Sequence, residues 1–168
     1  MNSLITTNSK FDKGMRKHNN AQVEFDNFTK EENAGRGLFS RKCASCHGGR
    51  MITTGQSTAN TGLDLEYDDR GIAELTENPI DDGVFKVPLL RNVELTGPYM
   101  HDGRFETLEE VVEHYSSGIK SHPNLDFQLP AGGMNFTEQE KEDLVSFLKT
   151  LTDTDFTTAV RFSDPFKQ

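Results

Sequence analysis

Apolar residues recur at helical spacing in three stretches of the chain. Each stretch is opened by a threonine with a glutamate three residues later: Thr29–Glu32, Thr107–Glu110 and Thr137–Glu140. In such a capping box the hydroxyl and the carboxylate each satisfy a backbone N–H that the first helical turn leaves free. The first stretch predicts a helix to about Arg41, with Ala34, Leu38 and Phe39 on one face. Gly35 and Gly37 leave room there for another helix. In the second, Leu108, Val111, Val112 and Tyr115 fall at i, i+3, i+4 and i+7, so Tyr115 faces inward before Ser116-Ser117-Gly118 ends the helix. The third carries Leu144, Val145, Phe147, Leu148 and Leu151. From Gly48 to Asp82 there is little periodicity and much Gly, Asn, Asp and Thr, which predicts a long loop of the kind that wraps a ligand. Residues 85–93 are apolar but interrupted by Pro88, so they read as an extended segment. Residues 1–28 read as a polar arm or linker and 29–152 as the domain. The tail, 153–168, carries Phe156, Phe162 and Phe166 and is expected to pack back on the domain. The predicted architecture is mostly α: a few helices, long loops, little or no sheet.

Composition sharpens this picture. Only 33% of the 168 residues are hydrophobic, there is no Trp, and Gly numbers 14. That is a thin core for one domain, so another apolar element is expected inside it. A net charge of −9 argues against nucleic acid, which needs a basic face, and suits a basic protein partner. No apolar run is long enough to span a membrane, and the N-terminus has no signal-peptide core.

The missing interior has a candidate in Cys43-Ala44-Ser45-Cys46-His47. C-x-x-C-H is the attachment signature of a c-type haem: two thiols add to the vinyl groups, and the adjacent imidazole binds the iron from below. These are the only two cysteines. Zinc would need about four ligands, and a redox dithiol would need a βαβ setting that the pattern lacks. One covalent haem c is therefore expected, with His47 as proximal ligand and a loose chain in its absence. Because haem is attached outside the cytoplasmic membrane, the expected compartment is the periplasm. The chain is then expected to be a processed or partial form, since its own start carries no signal.

The run from Val87 to Glu110, VPLLRNVELTGPYMHDGRFETLEE, resembles the C-terminal haem domain of bacterial dihaem cytochrome c peroxidases and their MauG-like relatives. The likeness extends from about Phe11 to Phe166. It implies a cytochrome c fold in which the last helix crosses the first over the haem. It also implies an N-terminal peroxidatic haem domain, or a separate subunit, as partner, and a small periplasmic electron donor. In the family, the iron's second ligand follows the His-Asp-Gly motif by fourteen residues. Counted from His101, that position is Tyr115, which agrees with the helix argument. Met134, before the last helix, is the alternative distal ligand, and Met100 a third. Met51 is too close to His47 to reach the other face. Arg91 is read either as a haem-propionate ligand or as an ion pair, and His101 as a residue beside the haem. The resemblance also implies calcium between the two domains, held by the backbone carbonyls of Thr96 and Pro98. His18, His114 and His122 read as surface or structural residues. The expected functions are electron relay for reduction of hydrogen peroxide, a stand-alone monohaem carrier, or MauG-like oxidation of a protein substrate.

Overall fold

The computed structural model describes residues 6–18, 23–48, 57–160 and 166. Its centre is the crossing of α2 (Lys30–Lys42) and α6 (Glu138–Lys149), the most extensive contact between elements among the described residues. Both helices begin at the predicted capping boxes. Thr29 Oγ1 accepts from Glu32 N–H, Thr137 Oγ1 accepts from Glu140 N–H, and each glutamate accepts from its threonine N–H in return. At Gly35 the two backbones meet so closely that a Cβ would overlap the Asp143 carbonyl. Gly37 has no such neighbour; a Cβ there would meet only the Arg41 guanidinium at 3.4 Å. Leu38, Phe39, Leu144, Phe147, Leu148 and Leu151 fill the crossing and are buried.

Three residues of the segment read from sequence as an arm, Phe11, Phe25 and Phe28, are part of this core. Helix α1 (Lys10–His18) lays Phe11 against Phe147, ring centroids 6.0 Å apart. Phe25 and Phe28 then close over it, Phe25 being 1% exposed. Arg36 of α2 stacks its guanidinium on the Phe25 ring at 4.0 Å, a cation–π contact. Pattern reading missed this because three phenylalanines, at 11, 25 and 28, do the anchoring. They follow no helical or strand period. Phe11 N–H donates to the Thr150 carbonyl at 3.1 Å, tying this segment to the end of α6.

The other half of the molecule is made of short pieces. The turn α3 (Ala44–His47) follows α2 directly. Strand β1 (Thr58–Ala59) pairs antiparallel with β2 (Phe85–Lys86), Thr58 opposite Lys86 and Ala59 opposite Phe85. Between them lie α4 (Ala73–Thr76) and a 3-10 turn at Pro79–Asp81. Asn60, 1% exposed, holds this region together. Its Nδ2 reaches the Asp82 carbonyl at 3.3 Å and His122 Nδ1 at 3.2 Å, and its Oδ1 accepts from Gly62 N–H at 2.8 Å. Helix α5 (Leu108–Glu113) starts at the Thr107–Glu110 capping box and runs into a π turn, His114–Gly118. In the tail, α7 (Thr154–Thr157) is capped by Asp153. Phe156 is half-buried and Phe166 92% exposed; Phe162 lies outside the described residues. No helix among the described residues is long and apolar enough to cross a membrane.

Candidate functional site

The end of α2 delivers Cys43 to the edge of the core: its N–H donates to the Phe39 carbonyl at 2.8 Å, and His47 N–H returns to the Cys43 carbonyl at 3.0 Å. One helical turn therefore places both sulfurs and the imidazole in one neighbourhood. Gly48, at φ 68°, ends the turn in a left-handed conformation that glycine adopts at little cost. The Phe39 ring lies 6.3 Å from that of His47.

His47 is oriented from outside its own segment. Its Nδ1 lies 3.2 Å from the Pro88 carbonyl. A carbonyl only accepts, so Nδ1 carries the proton and donates, and Nε2 keeps its lone pair. That tautomer is the one a metal-binding imidazole needs. Burial lowers the imidazole pKa and so favours the neutral ligand form further, outweighing the hydrogen bond to Pro88, which raises it.

Neither cysteine is in a disulfide, and both are half-buried. Burial, with the neighbouring Cys46 charge, pushes the Cys43 thiol up to about 12; burial and Asp126 raise that of Cys46. A working redox dithiol has a depressed thiol, so these two suit a covalent tether and not disulfide exchange. Among the described residues, no group of three His, Cys, Asp or Glu side chains gathers to hold a bare metal ion. The donor set fits a tethered porphyrin with one axial imidazole.

Tyr115 is the distal candidate that the side chains bring to this place. Burial raises its phenol pKa, and the charges of Cys43 and Cys46 raise it further. Its backbone belongs to the π turn, a local widening often found at functional positions. Met134 is tied to the same strip of chain: its N–H donates to the Tyr115 carbonyl at 2.9 Å, and Asn135 N–H to that of Ser116 at 2.8 Å. Gly133, φ 102°, permits this approach, since a Cβ there would overlap the Ser116 carbonyl. The two distal candidates are thus backbone neighbours. Met100 is half-buried at φ 72°, and Met51 lies outside the described residues.

Arg91 departs from the propionate reading. Both terminal nitrogens donate to Asp12, Nη1 to Oδ2 and Nη2 to Oδ1, each at 2.8 Å. The fork that would grip a propionate is occupied by a carboxylate from α1, and the pair is buried, with 8% and 12% of the two side chains exposed. His101 is exposed and stacks on Phe85 at 3.8 Å between centroids. Thr96 and Pro98 lie on an exposed turn. His18 stacks on Phe25, His114 Nε2 lies 3.0 Å from the Thr61 carbonyl, and His122 Nδ1 lies 3.2 Å from Asn60 Nδ2. Sequence reading missed the Pro88 carbonyl, which no side-chain motif announces. It also missed Gln128, whose Nε2 lies 3.8 Å from Cys46 Sγ, and Asp12.

Known proteins are similar to this chain in sequence and in fold. The cytochrome c551 peroxidase of Nitrosomonas europaea is 37% identical over 155 residues, covering 89% of this chain and 41% of that protein. The methylamine utilization protein MauG of Methylorubrum extorquens is 38% identical over 117 residues, 68% of this chain and 32% of that one. The chain therefore spans about two fifths or less of the length of these curated relatives. Among solved structures, a MauG-like protein associated with microbial copper homeostasis superposes with a TM-score of 0.82 at 31% identity, over 96% of this chain and 53% of that one. The cytochrome c family pattern matches residues 32–152, from the first turn of α2 through the attachment turn to the end of α6, and the chain belongs to the cytochrome c family.

Proposed function

We propose that this chain is the electron-relay domain of a MauG-like dihaem cytochrome c peroxidase, holding one haem c through Cys43, Cys46 and His47 with Tyr115 as distal ligand. The observation that carries the reading is the His47–Pro88 bond, which leaves Nε2 free to bind iron, in the turn that carries both thiols. Bound haem supplies reversible one-electron exchange. Everything else falls to the chain. Cys43 and Cys46 fix the ring, the Pro88 carbonyl holds the His47 proton on Nδ1, and Tyr115 offers a hard oxygen donor. Such a donor favours ferric iron and lowers the potential, where the Met134 thioether would raise it.

The partner domain is assigned to the length that the relatives have beyond this chain. There hydrogen peroxide would take two electrons and two protons to give two waters. The electron donor is a small basic periplasmic protein. Residues 64–82 hold eight of the chain's 27 Asp and Glu and one of its 18 Lys and Arg, and Leu75 and Ile80 protrude from the same stretch, 88% and 67% exposed. An apolar tip in an acidic field attracts a lysine-ringed apolar patch and steers its approach. Calcium at Thr96 and Pro98 belongs to the same proposal, as a tie between the domains.

The test is an absorption and electron paramagnetic resonance comparison of the haem-loaded chain with Tyr115→Phe and Met134→Leu. The ferric spectrum is expected to change in Tyr115→Phe and persist in Met134→Leu. A thioether charge-transfer band lost only in Met134→Leu would reverse the ligand assignment. Peroxide turnover at enzymatic rates by this chain alone would refute the division of labour.

A further inference from the structure

The Pro88 carbonyl that orients His47 has little of its own to hold it. Pro88 and Leu89 are exposed, Leu89 by 52%, and proline has no N–H with which to anchor itself. Its position is set by the fixed points on either side. Upstream, Val87 N–H donates to the Ser57 carbonyl at 3.0 Å. Downstream, the first fixed point after the half-buried Leu90 is Arg91, clamped to Asp12 by two bonds of 2.8 Å. Asn92 then follows, bonded through its N–H to the Leu151 carbonyl at 3.2 Å and through its Oδ1 to Asp153 N–H at 2.8 Å. Three residues of extended chain reach about 10 Å, so the clamp lies within one short lever of the carbonyl.

Asp12 is itself preset. Ser9 N–H and Oγ–H both donate to its Oδ2, at 3.1 and 2.8 Å. Its segment is fastened to the far end of the chain, with Thr7 and Asn8 N–H donating to the buried Asp153 carboxylate at 3.2 and 2.9 Å. A bidentate guanidinium–carboxylate pair fixes direction as well as distance. A surface pair would contribute little of either.

We infer that the Asp12–Arg91 pair is a positioning device that fixes the Pro88 carbonyl against His47, so that the N-terminal segment sets the strength of the axial ligand. The inference rests on the reading of His47 as the iron's proximal ligand. Second-shell acceptors of this kind raise the basicity of a ligating imidazole. A firmly held carbonyl makes His47 a stronger donor and lowers the iron's potential; a slack carbonyl does the reverse. Residues 6–18 thereby become a tuning element, and any partner that pulls on them changes the potential of the relay.

The experiment uses the haem-loaded chain and reads two signals, the midpoint potential and the exchange rate of the His47 Nδ1 proton by NMR. Asp12→Asn is expected to move the potential upward and to speed that exchange tenfold or more. Ser9→Ala, which loosens the carboxylate without removing it, is expected to move both the same way by less, and it decides the matter if Asp12→Asn does not fold. Asp12→Glu, which keeps a carboxylate for Arg91, is expected to recover most of both signals. Phe28→Leu lowers stability through the core, outside residues 6–18 and without touching the pair, and is expected to leave both unmoved. If Ser9→Ala and Asp12→Asn leave potential and exchange unchanged, or if Phe28→Leu shifts them equally, the inference is overturned. A wild-type chain that fails to take up covalent haem would instead overturn the haem reading beneath it.

Discussion

The two halves of this molecule are held together by different physics. In the helical half, one cluster of thirteen buried residues joins α1, α2 and α6 to Phe25, Phe28, Val93, Leu108, Val112 and Leu151, and backbone meets backbone at Gly35. Close packing there is self-sufficient. In the half from β1 to the turn before α6, Ala59, Leu63, Ala73, Val87 and Ile119 are buried but lie outside that cluster. Order depends on Asn60, on capped turns and on ion pairs around Arg104. That half also supplies Pro88, Tyr115 and Met134. The part of the protein that must accept a large planar group is the part with the least interior of its own, and the group's apolar faces complete it.

The largest expected effect breaks the helical half. Gly35→Val drives a branched side chain into the Asp143 carbonyl, and Phe147→Ala empties the crossing. The first is expected to abolish cooperative folding, the second to cost about 3–5 kcal/mol. Thermal unfolding checks both, and a Phe147→Ala variant as stable as wild type would refute the account of the core.

Removing the tether separates the halves. With Cys43→Ser and Cys46→Ser together, covalent haem is expected to be lost entirely. Amide protection should then fall about tenfold or more in residues 57–135 while α2 and α6 keep most of theirs. Hydrogen exchange reads this directly. Equal loss in both halves would mean that the fold is one cooperative unit and the comparison is mistaken.

Asn60→Leu sharpens the contrast from the polar side. It strands the Gly62 N–H and His122, at a cost of about 1–3 kcal/mol, and denaturant unfolding of the haem-loaded chain measures it. A smaller change is expected at the start of α5: Thr107→Ala removes the acceptor for Glu110 N–H and costs about 1 kcal/mol.

The smallest effect is in acid. Hydrogen bonds from Arg104, against some burial, and then from Lys120 hold the Asp64 carboxyl at about 2. Its folded value is below the unfolded one, so the stability it contributes is whole above about pH 4. It fades as pH falls toward 2, because protonation there is harder in the folded state. Asp64→Asn should flatten that part of the pH profile; an unchanged profile would show that the pair is solvent-screened to nothing.

How much of this was legible beforehand follows from where each signal lives. The three capping boxes, the attachment turn and the inward face of the second helix are encoded over three to seven adjacent residues, and all are found where the pattern put them. Helical phase and the resemblance both point to Tyr115, whose phenol pKa is raised by burial first and then by the charges of Cys43 and Cys46. The helix containing it was not foreseen to widen into a π turn, because that depends on Gly133 and Asn135 docking from another segment.

By itself, then, the amino-acid order determined the helix starts, the covalent tether and the need for a filler in a thin interior, since each depends on neighbours in sequence. Tertiary structure alone decided that Phe11, Phe25 and Phe28 belong to the core, that Arg91 faces Asp12, and that a proline carbonyl holds His47. Those contacts join positions 41 to 146 residues apart. Long-range pairs of single groups leave no local period to read; they exist only once the chain has closed upon itself.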